Sequence, residues 1–206
     1  MAQYAFYFDG TRCTGCKTCQ MACKDYKDLT PEMSFRKVYE VTFGDVVRDE
    51  SGCFANSCVS YTVSMSCNHC DEPVCVKVCP TTAMHKDPET GLVSVDASKC
   101  IGCGYCHMAC LYNAPKVDRS KGHSVKCDGC ADLVAKGEAP VCVLACPARA
   151  LRFGSADELS MLGERGNIAP LPEPTYTNPN VFIKPCSDAL PAGDMQGKVT
   201  NPLEVI

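Results

Sequence analysis

An α+β fold of two related halves followed by an extended C-terminal tail is the architecture the sequence predicts, and three observations predict it. Nineteen cysteines stand among 206 residues, and sixteen of them fall into four similar groups. Short alternating apolar runs and short helix-like runs surround those groups. From about residue 168 prolines accumulate, at 170, 172, 174, 179, 185, 191 and 202, so that stretch has no periodic pattern from which to build its own core.

The elements follow in order. "YAFYF" at 4–8 reads as a strand entering the first cysteine group, and "CQMACKDYKD" as a short helix leaving it. "RKVYEVTFG" and "CVSYTVSMS" read as two further strands. "AMHKDPETGLVSVDASKC" reads as a hairpin, with Asp87, Pro88 and Gly91 in the turn and Val93 and Val95 facing inward. "ALRFG" is a closing strand, and "SADELSMLGERG" a helix with Ser155 as N-cap and Glu158 three residues on. In the tail, Tyr176, Val181, Phe182 and Ile183 lie between prolines. They favour a strap laid across a partner or across the body, and the expectation is contact with another subunit, with cluster content surviving removal of 168–206.

Composition excludes several classes. Cysteine at about 9% suits a small secreted disulfide scaffold, but the count is odd and "MAQYAFYFDG" has no basic region followed by a long apolar run, so no cleavable signal is expected. No apolar run approaches the ~20 residues that cross a bilayer. A formal charge of -4 without a Lys/Arg block gives no sign of nucleic-acid binding. No G-x-G-x-x-G motif is present, which disfavours a self-contained flavin or nucleotide reductase.

The four groups are Cys13, Cys16, Cys19, Cys23; Cys67, Cys70, Cys75, Cys79; Cys100, Cys103, Cys106, Cys110; and Cys127, Cys130, Cys142, Cys146. Each opens with C-x-x-C and closes with a cysteine four residues after the third, and Pro80 and Pro147 follow two of them. This is the bacterial ferredoxin spacing, with insertions in groups two and four. Three thiolates on one tight loop can hold three corners of a 4Fe-4S cubane, while the fourth, on the helix that follows, points away and serves a second group's cluster. Groups two and three are separated by only twenty residues, so they should pair, leaving one and four to pair around them. The expected quartets are Cys67, Cys70, Cys75 with Cys110; Cys100, Cys103, Cys106 with Cys79; Cys13, Cys16, Cys19 with Cys146; and Cys127, Cys130, Cys142 with Cys23. Small loop residues, Thr14, Gly15, Gly102, Gly104 and Gly129, let backbone N–H groups reach the sulfurs.

Zinc is the rival ligand, since it takes C-x2-C pairs and group four alone resembles such a site. Groups one and three would give zinc a surplus thiol and poor tetrahedral reach. A brown colour would separate iron from zinc at once. Free catalytic thiols would need a partner base, which sixteen cysteines in register do not supply. Lys17, Lys24, Lys99 and Lys126 sit beside ligands, either to raise a cluster's potential or merely as solvated surface. The four histidines read as structural, because sixteen cysteines already saturate four cubanes.

The domain organisation expected is an outer dicluster module of residues 1–60 plus 114–165, an inner one of 61–113, and a tail of 166–206. The two modules would be ferredoxin-like and related by pseudo-two-fold symmetry.

"RCTGCKTCQMACKDYKDL", "SCNHCDEPVCVKVCP", "AMHK", "CIGCGYCHMAC" and "KGHSVKCDGC", with the tail's "IKP" and "GD", carry a resemblance over nearly the whole chain. The chain resembles the iron-sulfur electron-transfer subunits of dimethyl sulfoxide reductase family molybdopterin oxidoreductases. Leu111 and Asn113 depart from that family's pattern, and Cys53, Cys58 and Cys186 are additional. The resemblance implies a non-catalytic subunit of anaerobic respiration, with four 4Fe-4S clusters relaying electrons between a membrane quinol-oxidising subunit and a molybdopterin catalytic subunit. It implies membrane association through partners, on the periplasmic face if the chain is co-exported with a twin-arginine catalytic subunit, and otherwise on the cytoplasmic face. It also implies that the Cys103 cluster lies at the membrane end and the Cys13 cluster at the catalytic end. A membrane hydrogenase, formate dehydrogenase or other reductase complex is the alternative setting for the same module.

Overall fold

A computed structural model describes residues 3–205. In chain order the elements are β1 (Tyr4–Asp9), α1 (Thr18–Tyr26), β2 (Lys37–Phe43), β3 (Val46–Arg48), β4 (Phe54–Asn56), β5 (Val59–Met65), α2 (Val74–Lys77), β6 (Met84–Lys86), β7 (Val93–Val95), α3 (Tyr105–Ala109), β8 (Lys116–Asp118) and β9 (His123–Val125). Then come α4 (Ala131–Val134), α5 (Val141–Leu144), β10 (Leu151–Ser155), α6 (Ala156–Ser160), β11 (Glu164–Arg165), β12 (Val181–Lys184) and β13 (Lys198–Val199). The mixed α+β class is as the sequence predicts, with short elements threaded between cysteine loops.

The apolar run of β1 is buried because β1 is an inner strand. It pairs antiparallel with β10, Phe8 opposite Leu151, and parallel with β12, Phe8 opposite Ile183. The sheet order is β10-β1-β12-β11. A second sheet, β13-β2-β5, packs Val38, Val41 and Val63 into the same core as Phe6, Phe8, Cys19, Cys142 and Cys146. The remaining sheets are the two-stranded hairpins β3-β4, β6-β7 and β8-β9.

Helix packing sorts the cysteine groups. The helices within the first and fourth groups, α1 and α5, lie against each other, and those of the second and third, α2 and α3, do the same. The hairpin β8-β9 follows residue 113, yet its Ser124 donates its N–H to Cys100 Sγ at 3.2 Å, so by contact it accompanies the third group. Strand β5 runs unbroken through residue 60, paired with β2 from Val59 to Met65.

The tail is extended, and it lies across the chain's own body. Val181, Phe182 and Ile183 are buried in β12, each contributing roughly 1.5–3 kcal/mol, which together approaches the whole net stability of an ordinary domain. Upstream of β12 the tail clamps the second cysteine loop, accepting from Asp71 and Glu72 N–H at the carbonyls of Asn178 and Thr177, while Asn180 Nδ2 donates to the His69 carbonyl at 2.9 Å. Near its end Asn201 Nδ2 donates to the Val38 carbonyl, and Lys17 pairs with Glu40 at 2.8 Å and with Glu204. A segment so integrated is part of the fold, which changes the expected consequence of removing it.

Ser155 caps α6, its hydroxyl accepting from Glu158 N–H at 3.3 Å, but the helix stops at Ser160 because β11 follows within four residues.

Candidate metal centre

All four cysteine loops share one backbone device. The third residue of each C-x-x-C is left-handed: Gly15 at φ 69°, His69 at 44°, Gly102 at 67° and Gly129 at 72°. Such a residue turns the chain back so that later amides face the preceding sulfur, and Gly129 N–H donates to Cys127 Sγ at 3.4 Å. At Gly102 a side chain is doubly disfavoured, since a Cβ would come within 2.7 Å of the Gly122 carbonyl oxygen. Three residues past the closing cysteine the backbone turns left-handed again, at Thr82, Asn113 and Arg149. The next amides donate to the closing sulfur: Met84 to Cys79 at 3.3 Å, Ala114 to Cys110 at 3.5 Å and Ala150 to Cys146 at 3.3 Å. In the first group α1 continues past Cys23 instead, and the left-handed residue is displaced to Asp28.

The loops bring thiols together across groups. Cys13, Cys16, Cys19 and Cys146 line one cavity, with Pro147 and Ala148 beside them. Cys23 is pushed up by burial and by the neighbouring Cys127, Cys142 and Cys130. Cys70 and Cys75 are each pushed up to about 12, chiefly by burial and then by Cys67 and Cys110 among their neighbours. Cys106 feels Cys100 and Cys103, and it packs with Cys79 in a small core around Met84 and Val93. A zinc ion needs donors about 2.0–2.3 Å from one point, and among the described residues no three His, Cys, Asp or Glu side chains converge in that way.

Hydroxyls supplement the amides. Thr62 Oγ1 donates to Cys13 Sγ, Ser64 Oγ lies at Cys19 Sγ, Thr18 Oγ1 at Cys16 Sγ and Ser124 Oγ at Cys106 Sγ, each at 3.3 Å. Burial pushes Cys13, Cys19 and Cys106 up, while the Thr18 hydroxyl pushes the exposed Cys16 down; loading metal on the buried thiols means expelling protons, and the donors favour the thiolates that result.

Three buried side-chain atoms among the described residues have no hydrogen-bond partner: Arg36 Nε, Asn68 Nδ2 and His69 Nε2. All three are donors. His69 Nδ1 accepts from Val93 N–H at 2.8 Å, which leaves the proton of the neutral ring on Nε2. Asn68 and His69 lie inside the second C-x-x-C, and Arg36 lies among Cys142, Cys19 and Cys127. Orphaned buried donors are costly, and a sulfide-bearing anionic cluster beside each would accept from them. The residues present therefore fit iron-sulfur clusters.

The lysines singled out by sequence bond to carbonyls or carboxylates, and the charge of the buried Lys126 also acts on the Cys75 and Cys127 thiols. Lys24 Nζ donates to the carbonyls of Thr30, Pro31 and Met33, Lys99 pairs with Asp96 at 3.2 Å, and Lys126 donates to the carbonyls of Val93 and Cys127. Sequence reasoning missed Arg36, Thr62, Ser64 and Ser124. No local signal pointed to the first three: alternation along β5 puts Thr62 and Ser64 on the face opposite to the apolar Tyr61, Val63 and Met65, which reads as a solvated face, and Arg36 stands just before β2. Cys53 and Cys58 are exposed around the β3-β4 hairpin, and Cys186 is half-buried against the main core.

Residues 58–156 match the 4Fe-4S dicluster domain family. Over 204 residues, 98% of each protein, the sequence is 54% identical to the B subunit of anaerobic dimethyl sulfoxide reductase from Escherichia coli (strain K12). It is 53% identical over 206 residues, 100% of each protein, to the subunit of the same name from Haemophilus influenzae. Over 158 residues, 76% of this chain and 78% of the other, it is 39% identical to the thiosulfate reductase electron transfer subunit of Salmonella typhi.

Proposed function

The chain belongs to the family of anaerobic dimethyl sulfoxide reductase B subunits, the iron-sulfur electron-transfer proteins that carry four 4Fe-4S clusters and leave catalysis to another subunit; from that premise we propose that it relays single electrons between a membrane quinol-oxidising subunit and a molybdopterin catalytic subunit. We assign the clusters to the quartets Cys13, Cys16, Cys19, Cys146; Cys23, Cys127, Cys130, Cys142; Cys67, Cys70, Cys75, Cys110; and Cys79, Cys100, Cys103, Cys106. The outer module takes the first two and the inner module the last two.

When bound, such clusters supply reversible one-electron chemistry, at potentials set by charge, hydrogen bonds and exposure. The polypeptide's part is to fix the thiolates, exclude water and supply donors. One observation carries the relay reading: of the sixteen thiols only Cys16 and Cys103 are exposed, one in the first quartet and one in the last. A protein that takes up electrons at one place and delivers them at another needs two ports, with the clusters between them insulated. Around Cys103 the surface is apolar, with Ile101 65% and Met108 71% exposed beside Tyr105 and Leu111, and contiguous exposed apolar groups mark contact surfaces. Around Cys16 it is mixed, with Lys17, Met21, Leu203 and Glu204. The apolar port suits the membrane subunit and the mixed one the catalytic subunit. No helix among the described residues is long and apolar enough to cross a membrane, so attachment runs through the partner, on the outer face if the complex is exported folded.

Replacing Cys103 tests the reading. In Cys103→Ser the cluster loses the iron this thiolate holds, so electron paramagnetic resonance shows a three-iron signal. Quinol-driven turnover collapses, while a small dye that reduces the catalytic subunit directly still supports activity. Loss of dye-driven activity in proportion to quinol-driven activity overturns the assignment of Cys103 to an end of the relay.

A further inference from the structure

Arg36 is 1% exposed, and the surroundings of its guanidinium are unusual. Nη1 donates to Ser64 Oγ at 3.2 Å and to the Ser64 carbonyl at 3.3 Å, Nη2 donates to Ser66 Oγ at 2.9 Å, and Nε has no partner. The group stands 4.8 Å from the centre of the Phe6 ring. Among the described residues no ion pair includes it. A permanently charged side chain removed from water needs a compensating anion.

The groups that act on it are cysteines. Cys142 stands first, followed by Cys19 and Cys127. Cys23 feels its charge as well. Cys19 belongs to one proposed quartet, and Cys23, Cys127 and Cys142 to another. Ser64 strengthens the link, because its hydroxyl receives Arg36 Nη1 and lies 3.3 Å from Cys19 Sγ.

We propose that Arg36 is the shared counter-charge of the two outer clusters, held between them by Ser64, Ser66 and Phe6, and that it raises the reduction potential of both relative to a chain without it. A fixed positive charge favours the more negative, reduced form of a neighbouring cluster. Placed between two clusters, it keeps both potentials raised together, so that an electron moves from one to the other without a large step. Arg36 is thus a positioning residue for electron transfer. The inference rests on the quartets assigned above.

The test is a redox titration of the cluster-loaded chain in its complex, followed by electron paramagnetic resonance. Cys16→Ser and Cys130→Ser identify the two outer signals. The wild type must show four one-electron couples; fewer would overturn the cluster assignment itself, which is a separate failure. Arg36→Met is expected to lower the reduced-to-oxidised ratio of the two outer clusters at least tenfold at fixed ambient potential, about 59 mV for a one-electron couple, and to leave the inner two unmoved. Arg36→Lys, which keeps a charge but loses the planar fork, moves them less. If Arg36→Met fails to load iron, Arg36→Gln is read against the same outcomes. Unchanged outer couples, equal shifts of all four, or a lysine variant displaced as far as the uncharged one would overturn the proposal.

Discussion

The outer and inner pairs of cysteine groups share one loop geometry and differ in depth. In groups one and four six of the eight thiols are buried, those of Cys19, Cys23, Cys127, Cys130, Cys142 and Cys146, whereas in groups two and three only Cys67 and Cys106 are. The cause is what covers them. Sheet strands β1, β2, β5 and β10 wrap the outer pair, while two-stranded hairpins and the tail cover the inner. Adjacent residues on a strand face opposite ways, and at the start of β2 Arg36 turns to the outer thiols while Lys37 turns to the inner side, its Nζ donating to the Asn113 carbonyl at 3.3 Å in the field of Cys110. Burial, with Lys116 nearby, depresses Lys37 to about 8. Both are buried, Arg36 1% and Lys37 3% exposed, but arginine holds its charge unaided, whereas a buried lysine keeps its charge only where anions compensate it.

The largest expected effect comes from cutting the chain before Thr177. That removes β12 from between β1 and β11 and releases the second cysteine loop, so both halves fail, and iron per soluble chain falls close to zero. A truncated chain with its full iron would show that the tail is a strap after all.

Next in size is a contrast between equivalent positions, the third cysteines of groups four and two. Cys142→Ser places an altered ligand in the deepest part of the core, and we expect loss of most soluble, iron-loaded protein. Cys75→Ser, half-buried, should cost one cluster and leave the others. Equal iron loss in the two variants breaks the distinction between the halves.

The four groups, their helices, β1, β2, β5, the β6-β7 hairpin and the Ser155 cap were legible because periodicity and spacing are local signals. The pairing of β12 with β1 was not, although Val181, Phe182 and Ile183 were visible as apolar residues, because nothing local says which strand far away in the sequence will receive them. Lys17, Lys24, Lys99 and Lys126 drew attention by standing next to cysteines in sequence. Arg36 does not, and its closeness to the first and fourth groups arises only when β2 folds over the cluster loops. Hairpin β8-β9 escaped notice for a similar reason, since "KVDRSKGHSV" is short and polar and is held by Ser124 at the third group's sulfurs.

A smaller effect sharpens the comparison of cations. Lys37→Met should lower the potential of the Cys67, Cys70, Cys75 and Cys110 cluster alone, and by less than Arg36→Met moves the outer pair, because water and Lys116 share in its compensation. A redox titration that finds the outer couples moved by Lys37→Met would contradict the opposite-face arrangement.

The smallest effect concerns the turn leading into the third group. Asp96 accepts from the Ser98 hydroxyl at 2.6 Å, pairs with Lys99 and accepts from Ser98 N–H at 3.0 Å, which together hold its carboxyl down to about 2. With the folded value below the unfolded one, its contribution is present above about pH 4 and is lost as pH falls towards 2. The difference in thermal midpoint between wild type and Asp96→Asn should therefore be slight at neutral pH and vanish in acid. A difference that grows in acid would be the wrong sign.

The central claim is that closing cysteines cross between groups, and paired serine substitutions followed by electron paramagnetic resonance test it most directly. Cys23→Ser and Cys130→Ser are predicted to alter one and the same cluster signal, and Cys146→Ser and Cys16→Ser a second one. If Cys23→Ser instead alters the signal that Cys16→Ser alters, each group holds its own cluster and the crossed arrangement is contradicted.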